Sequence, residues 1–217
     1  MTNILSLPNL SSVSLDDAFY CVNDPLGTPA DQQVAGQKIV GKWEPVQEDI
    51  VTVSQGHVAF TDLTSDFLKY RLEVLKAVPV VSAYPFVEIS SDNGTTYETT
   101  LYDVWGMASS SPSVPYPNVG SNYTEASGLT PKNTAYSAQD NQPPGFCATM
   151  DIYCLCINDI TIMKSNGIYP NGSGFIVPSV SFGKHEAAVA MNALRFAFNA
   201  TDIASGHFLL HGLRSIA

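Results

Sequence analysis

Charge is the first thing this chain is short of. Asp, Glu, Lys and Arg together make up 14 % of its 217 residues, well under the ~25 % of an ordinary soluble domain. Ten are basic and twenty acidic, for a net charge of −10. Wrapping a phosphate backbone requires clustered Lys and Arg. No such cluster occurs, so nucleic acid is not an expected partner. No stretch reaches the ~18 apolar residues that cross a bilayer, and membrane insertion is not expected either. Met1 to Leu10 has neither the basic nor the apolar region of a signal peptide. The chain is therefore expected to be made in a cytoplasm and to stay soluble.

Cysteine is scarce as well: Cys21, Cys147, Cys154 and Cys156. A disulfide-built fold is small and Cys-dense, and this chain is neither. Cys154-Leu155-Cys156 with one distant Cys147 lacks the paired spacing of a zinc site. Cys154 and Cys156 lie in an apolar run and are expected on one face of a strand, as buried thiols. A disulfide or a metal are the alternatives.

Catalytic motifs are missing too. A nucleophile needs a base within hydrogen-bond reach, and no G-x-S-x-G or comparable constellation is present. Asp140, Asp151 and Asp159 could supply paired carboxylates for sugar hydrolysis, but their spacing alone does not pair them. His207 and His211 form H-x₃-H, which would place them ~13 Å apart on a strand at ~3.3 Å per residue, too far for one ion. A histidine at a threefold axis could still meet its own copies and build a site. Asp92, Asn93 and Asp103 offer oxygens to calcium, yet no D-x-D-x-D-G loop occurs, and they read as solvated turn residues. The Asn-x-Ser/Thr triplets at Asn9, Asn93, Asn122, Asn171 and Asn199 follow from Asn-, Ser- and Thr-rich turns. The chain thus reads as non-enzymatic, with no cofactor and no metal.

What is present is β-structure. Hydrophobic residues make up 45 % of the chain, enough to build a core. Residues 67–78 alternate, with Tyr70, Leu72 and Val74 on one face and Arg71, Glu73 and Leu75 on the other. Glu48 to Phe60 reads as paired strands around a Gln55-Gly56-His57 turn. Phe86 to Asp92 and Thr95 to Trp105 read as a hairpin about Asn93-Gly94, a pair that tolerates the positive φ of tight turns. Phe146 to Met163, Phe175 to Phe182, Leu194 to Phe198 and His207 to Leu213 complete the strands. His185 to Asn192 is the one helix candidate, or else a loop into the Leu194 strand. Many short strands spaced by Gly, Pro and Asn turns predict an antiparallel, jelly-roll-like β-sandwich.

Two regions differ from this pattern. Residues 1–41 hold short strands with few large apolar groups. They are expected to form a separate attachment or oligomerisation segment, leaving 42–217 as the sandwich domain. Residues 107–145 hold six of the 14 prolines and are expected to be long loops with one weak strand. Loops of that length are often functional. Tyr116, Tyr123 and Tyr136 within them are the recognition candidates, because tyrosine offers a flat apolar face and a hydroxyl together.

Three runs carry a resemblance: 67–72 (FLKYRL), 87–97 (VEISSDNGTTY) and 193–213 (ALRFAFNATDIASGHFLLHGL). The series resembles a family of β-sandwich tail-fibre or virion structural proteins of tailed bacteriophages. Asn93 stands where that pattern has a first hairpin glycine, Ala200-Thr201-Asp202 where it has Ser-Gly-Asn, and His211 where it has an aromatic. The N-terminal segment, with Leu7, Leu10, Phe19, Tyr20, Val22, Val34 and Ile39, is similar to the leading segment of many phage fibre proteins. The resemblance implies a homotrimer assembled in the bacterial host cytoplasm and located on the virion. It implies attachment through residues 1–41 to tail or baseplate proteins, and display of the sandwich for host recognition, with a host-surface glycan as a candidate partner. The alternatives are an architectural cement, collar or head-decoration subunit, or a polysaccharide-degrading enzyme. The family supplies no catalytic residues.

Overall fold

The computed structural model describes residues 19–21, 32–34, 42–108, 122–126, 145–170, 176–199 and 201–214. The chain divides into two compact units, residues 1–42 with 215–217, and residues 43–214. In the first unit, β1 (Phe19–Cys21) pairs antiparallel with β2 (Gln32–Val34), Phe19 opposite Val34.

The second unit is all-β. Its strands are β3 (Trp43–Val51), β4 (His57–Phe60), β5 (Phe67–Pro79), β6 (Pro85–Ser90), β7 (Tyr102–Ala108), β8 (Asn122–Ala126), β9 (Phe146–Tyr153), β10 (Thr161–Pro170), β11 (Ile176–His185), β12 (Ala193–Phe198) and β13 (Ile203–Arg214). One eight-stranded sheet runs β3-β13-β5-β9-β10-β11-β7-β8, and a three-stranded sheet runs β4-β12-β6. All the pairings are antiparallel. Successive strands β3 to β6 alternate between the sheets. The first strand of the unit lies beside the last, and the second beside the penultimate. That weave is the jelly-roll arrangement the turn spacing predicts.

Period-two alternation decides which side chains enter the core. Tyr70, Leu72 and Val74 of β5, Met150 and Ile152 of β9, and Phe208 and Leu210 of β13 are buried from the large sheet. Val58, Phe60, Val87, Ile89, Leu194 and Phe196 are buried from the small one. Phe196 is the hub, with ring centroids 5.2 Å from Phe208, 5.4 Å from Phe198 and 6.0 Å from Phe146.

Four local expectations change. Glu48 to Phe60 does not form paired strands: β3 joins the large sheet and β4 the small one, because the apolar residues of each must face the core from opposite sides. Asn93 and Gly94 do form the tight turn, with φ of 58° and 84°. The chain then leaves β6 after one bond, Glu98 N to Ile89 O, and β7 pairs with β11 instead. Cys154 and Cys156 are not on a strand. β9 ends at Tyr153, Cys154 has a positive φ of 59°, and both cysteines sit in the turn toward β10. Residues 186–192 are not helical. Their backbone donors go outward: Glu186 N to Leu101 O, Met191 N to Leu155 O, and Asn192 N to Ser90 O. Three long-range partners hold this stretch extended against its alanine-rich helical propensity.

Candidate docking face of the eight-stranded sheet

Strand register sets the outer face of the large sheet in rows. One row reads Trp43, Leu213, Lys69, Tyr153, Ile162, Lys184, Asp103. The next reads Pro45, His211, Arg71, Asp151, Lys164, Phe182, Trp105. The face divides into a half in which charged and aromatic groups engage one another and a half richer in exposed apolar groups, crossed by the Lys184–Asp103 ion pair.

The first half spans β3, β5 and β9. Arg71 donates to both Asp151 oxygens, Nε to Oδ1 at 2.8 Å and Nη2 to Oδ2 at 3.3 Å. Lys69 Nζ donates to Asp151 Oδ2 at 3.2 Å. Both cations also lie against aromatic rings: Arg71 4.4 Å from the Trp43 centroid, and Lys69 between Trp43 at 5.1 Å and Tyr153 at 4.9 Å. Burial alone would raise the Asp151 carboxyl. The hydrogen bonds from Arg71 and Lys69 outweigh it and hold the group below its ordinary value. These five residues form a clasp across the strands, and their rings and charges are engaged with one another.

The second half is built on β10 and β11, and its polarity is inverted. The side chains that face inward include Thr161, Ser165, Ser179, Ser181 and His185, all buried. The side chains that face outward include large apolar ones, with Ile162 47 % exposed, Ile168 40 %, Ile176 51 % and Phe182 41 %, interspersed with Lys164, Asn166 and Lys184. Trp105 of β7 packs against Phe182, ring centroids 5.6 Å apart. Beside them runs an open groove of about 510 Å³, lined by Leu75, Cys147, Ile168, Pro178 and Val180 among others. The Cys147 thiol donates to the Leu75 carbonyl, and burial pushes its pKa up. Isolated exposed apolar residues need no explanation. On β11 the outward residues Ile176, Pro178, Val180 and Phe182 form an unbroken apolar row, flanked on β10 by Ile162 and Ile168; exposed apolar patches are a common feature of interaction surfaces.

The polar candidates from the sequence have separate places. His207 and His211 point the same way along β13, but each meets its own carboxylate, Glu48 at 2.6 Å and Glu73 at 3.9 Å. Among the described residues no group of three or more His, Cys, Asp or Glu could hold a metal ion. Asp92 is tied into its turn by Thr96 and Ser90, which lower its pKa to about 2. Asn93 pairs with Asp62, and Asp103 with Lys184. Asp159 Oδ1 accepts from Ile160 N, and Asp140 lies outside the described residues. Cys147, Cys154 and Cys156 are thiols, not half-cystines.

Among the recognition candidates, Tyr123 lies on β8, the edge strand of the large sheet, opposite Val104. Tyr116 and Tyr136 lie outside the described residues. Of the attachment residues, Phe19 and Tyr20 are on β1 and Val34 is on β2. Leu7, Leu10, Val22 and Ile39 lie outside the described residues.

No protein-family model and no curated protein matches this chain.

Sequence reasoning missed the apolar half of this face. Alternation along β10 and β11 was readable, but alternation does not say which parity points inward. Pairing with β9 fixes it, since Met163 stands opposite Ile152 and Ser165 opposite Met150.

Proposed function

We propose that this chain is a structural subunit of a tailed-bacteriophage virion, most simply a tail fibre or adhesin subunit. In this reading it works by binding. Residues 1–41 attach to tail or baseplate proteins or to sister chains, and the sandwich is displayed for host-surface recognition. The observation that carries the reading is the apolar outer face of β10 and β11. Such a face suits a chain that packs against copies of itself, here in a homotrimer. The low charge content points the same way, since a polar but weakly charged surface is cheap to desolvate in an assembly. The motif series at 67–72, 87–97 and 193–213 supplies the phage assignment.

The same face favours a second reading. Ile162, Ile168, Ile176 and Phe182 suit a protein neighbour better than a hydrated sugar, so an architectural cement, collar or decoration subunit also accounts for them. Cryo-electron microscopy of the particle separates the two. The fibre reading expects the chain at the tail tip or in the fibres, and binding of the purified protein to susceptible cells. Density on the head or collar with no cell binding would favour the architectural subunit. Absence of the chain from purified particles would refute both.

A further inference from the structure

The inner side of β10 and β11 carries polar groups that no protein atom satisfies. We propose that this seam binds ordered water molecules inside the sandwich, as a built-in ligand that completes the fold. The proposal goes beyond the assembly reading and does not depend on it.

The geometry is regular. Thr161 stands opposite His185, Ser165 opposite Ser181, and Ser179 opposite Gly167. Met163 and Gly183, also opposite one another, separate the first pair from the second. Directly opposed residues hold their Cβ atoms about 5 Å apart, a gap that one water can bridge between two hydroxyls. From Thr161 to Gly167 the seam runs roughly 20 Å at ~3.3 Å per residue. All five polar residues are buried to 4 % exposure or less. The hydroxyls of Thr161, Ser165, Ser179 and Ser181 have no hydrogen-bond partner among the described protein atoms, and the His185 ring reaches only toward the Ala187 backbone.

A buried polar group left without a partner is expensive on the scale of a domain's net stability. Native proteins hold few of them, and here four hydroxyls share one strand pair. Something that both donates and accepts must meet them. The seam's own groups are neutral: four hydroxyls, and an imidazole that burial pushes toward its uncharged form. An ion bound there would lack a counter-charge in the seam. Water fits this chemistry, and a buried water typically makes about three hydrogen bonds to such groups. A wet seam also explains the inverted polarity. β10 and β11 are held less by apolar packing from inside, which raises the importance of whatever covers their outer face.

The sign of a simple substitution decides the matter. With water bound, S165A and S181A each remove a hydrogen-bonded hydroxyl and lower the melting temperature of the full chain by roughly 2–4 °C. If the seam is dry, the same substitutions delete an unsatisfied group, and the melting temperature stays level or rises, which overturns the proposal. Should a variant fail to fold, water-to-protein magnetisation transfer on the unsubstituted chain gives the answer independently. Transfer from long-lived water to the Ser165, Ser181 and His185 side-chain protons supports the site, and no transfer refutes it. A polyol found bound at stoichiometric level by native mass spectrometry would also overturn the assignment to water.

Discussion

Replacing Asp151 by alanine removes the carboxylate that holds Lys69 and Arg71 together on the outer face of β5 and β9. The loss has two parts, and one set of contacts is kept. Two Arg71 hydrogen bonds and one from Lys69 disappear. Two cations are left side by side with no anion between them. Their contacts with Trp43 and Tyr153 survive. Hydrogen bonds to charged groups are worth about 1.5–3 kcal/mol each. Side-chain exposures of 16 %, 31 % and 17 % for Lys69, Arg71 and Asp151 let solvent screen part of that. A net loss of about 2 kcal/mol follows, which at this chain length lowers the melting temperature by roughly 4–8 °C. Urea denaturation of D151A against the parent chain, read by tryptophan fluorescence, measures it. D151N should fall between the two, since the amide keeps one acceptor but no charge. A loss under about 0.5 kcal/mol for D151A would mean the clasp behaves as an ordinary surface pair, and the reasoning would fail.

Two further outcomes rest on single groups. Burial lowers the pKa of His185 below 6.5, so it binds its proton more weakly folded than unfolded. Its contribution is complete above pH 6.5 and is lost as the pH falls below it; a pH series of urea midpoints that showed no decline on that side would contradict the burial of His185. Gly212 lies under the Phe67 ring, and a methyl there would stand 2.5 Å from the ring's Cγ. G212A should therefore cost about 1–3 kcal/mol by overpacking, and an unchanged midpoint would show that Phe67 swings aside freely.

Much of the fold was legible because β-strands write their period into the sequence. Tyr70, Leu72 and Val74 are the inward residues of β5, as their alternation with Arg71 and Glu73 implies. The Asn93-Gly94 turn follows from backbone sterics, which are local. Strand partners were not legible, since pairing joins residues far apart. Nothing within residues 48–60 says that β3 and β4 belong to different sheets. The alanine-rich stretch after His185 looked helical for the same reason. Its competing partners, Leu101, Leu155 and Ser90, are remote in sequence. The outer face of β10 and β11 was hidden for a subtler reason. Thr161 to Ile168 alternates cleanly, but both parities carry some apolar residues, and only the pairing with β9 selects which one is buried. The motifs that suggested metal or acid–base chemistry were local patterns whose members the fold directs to separate partners, as with His207 and His211.

The central claim is that the apolar face of β10 and β11 is covered by sister chains. Sedimentation velocity on the full chain and on its I168D and F182D variants tests it most directly. Both residues point outward and are about 40 % exposed, so the substitutions should leave the sandwich folded, with melting temperatures close to the parent. The account predicts a trimer for the parent chain and a shift toward monomer for each variant. A parent chain that sediments as a monomer at working concentrations, or a trimer indifferent to both substitutions, would contradict it.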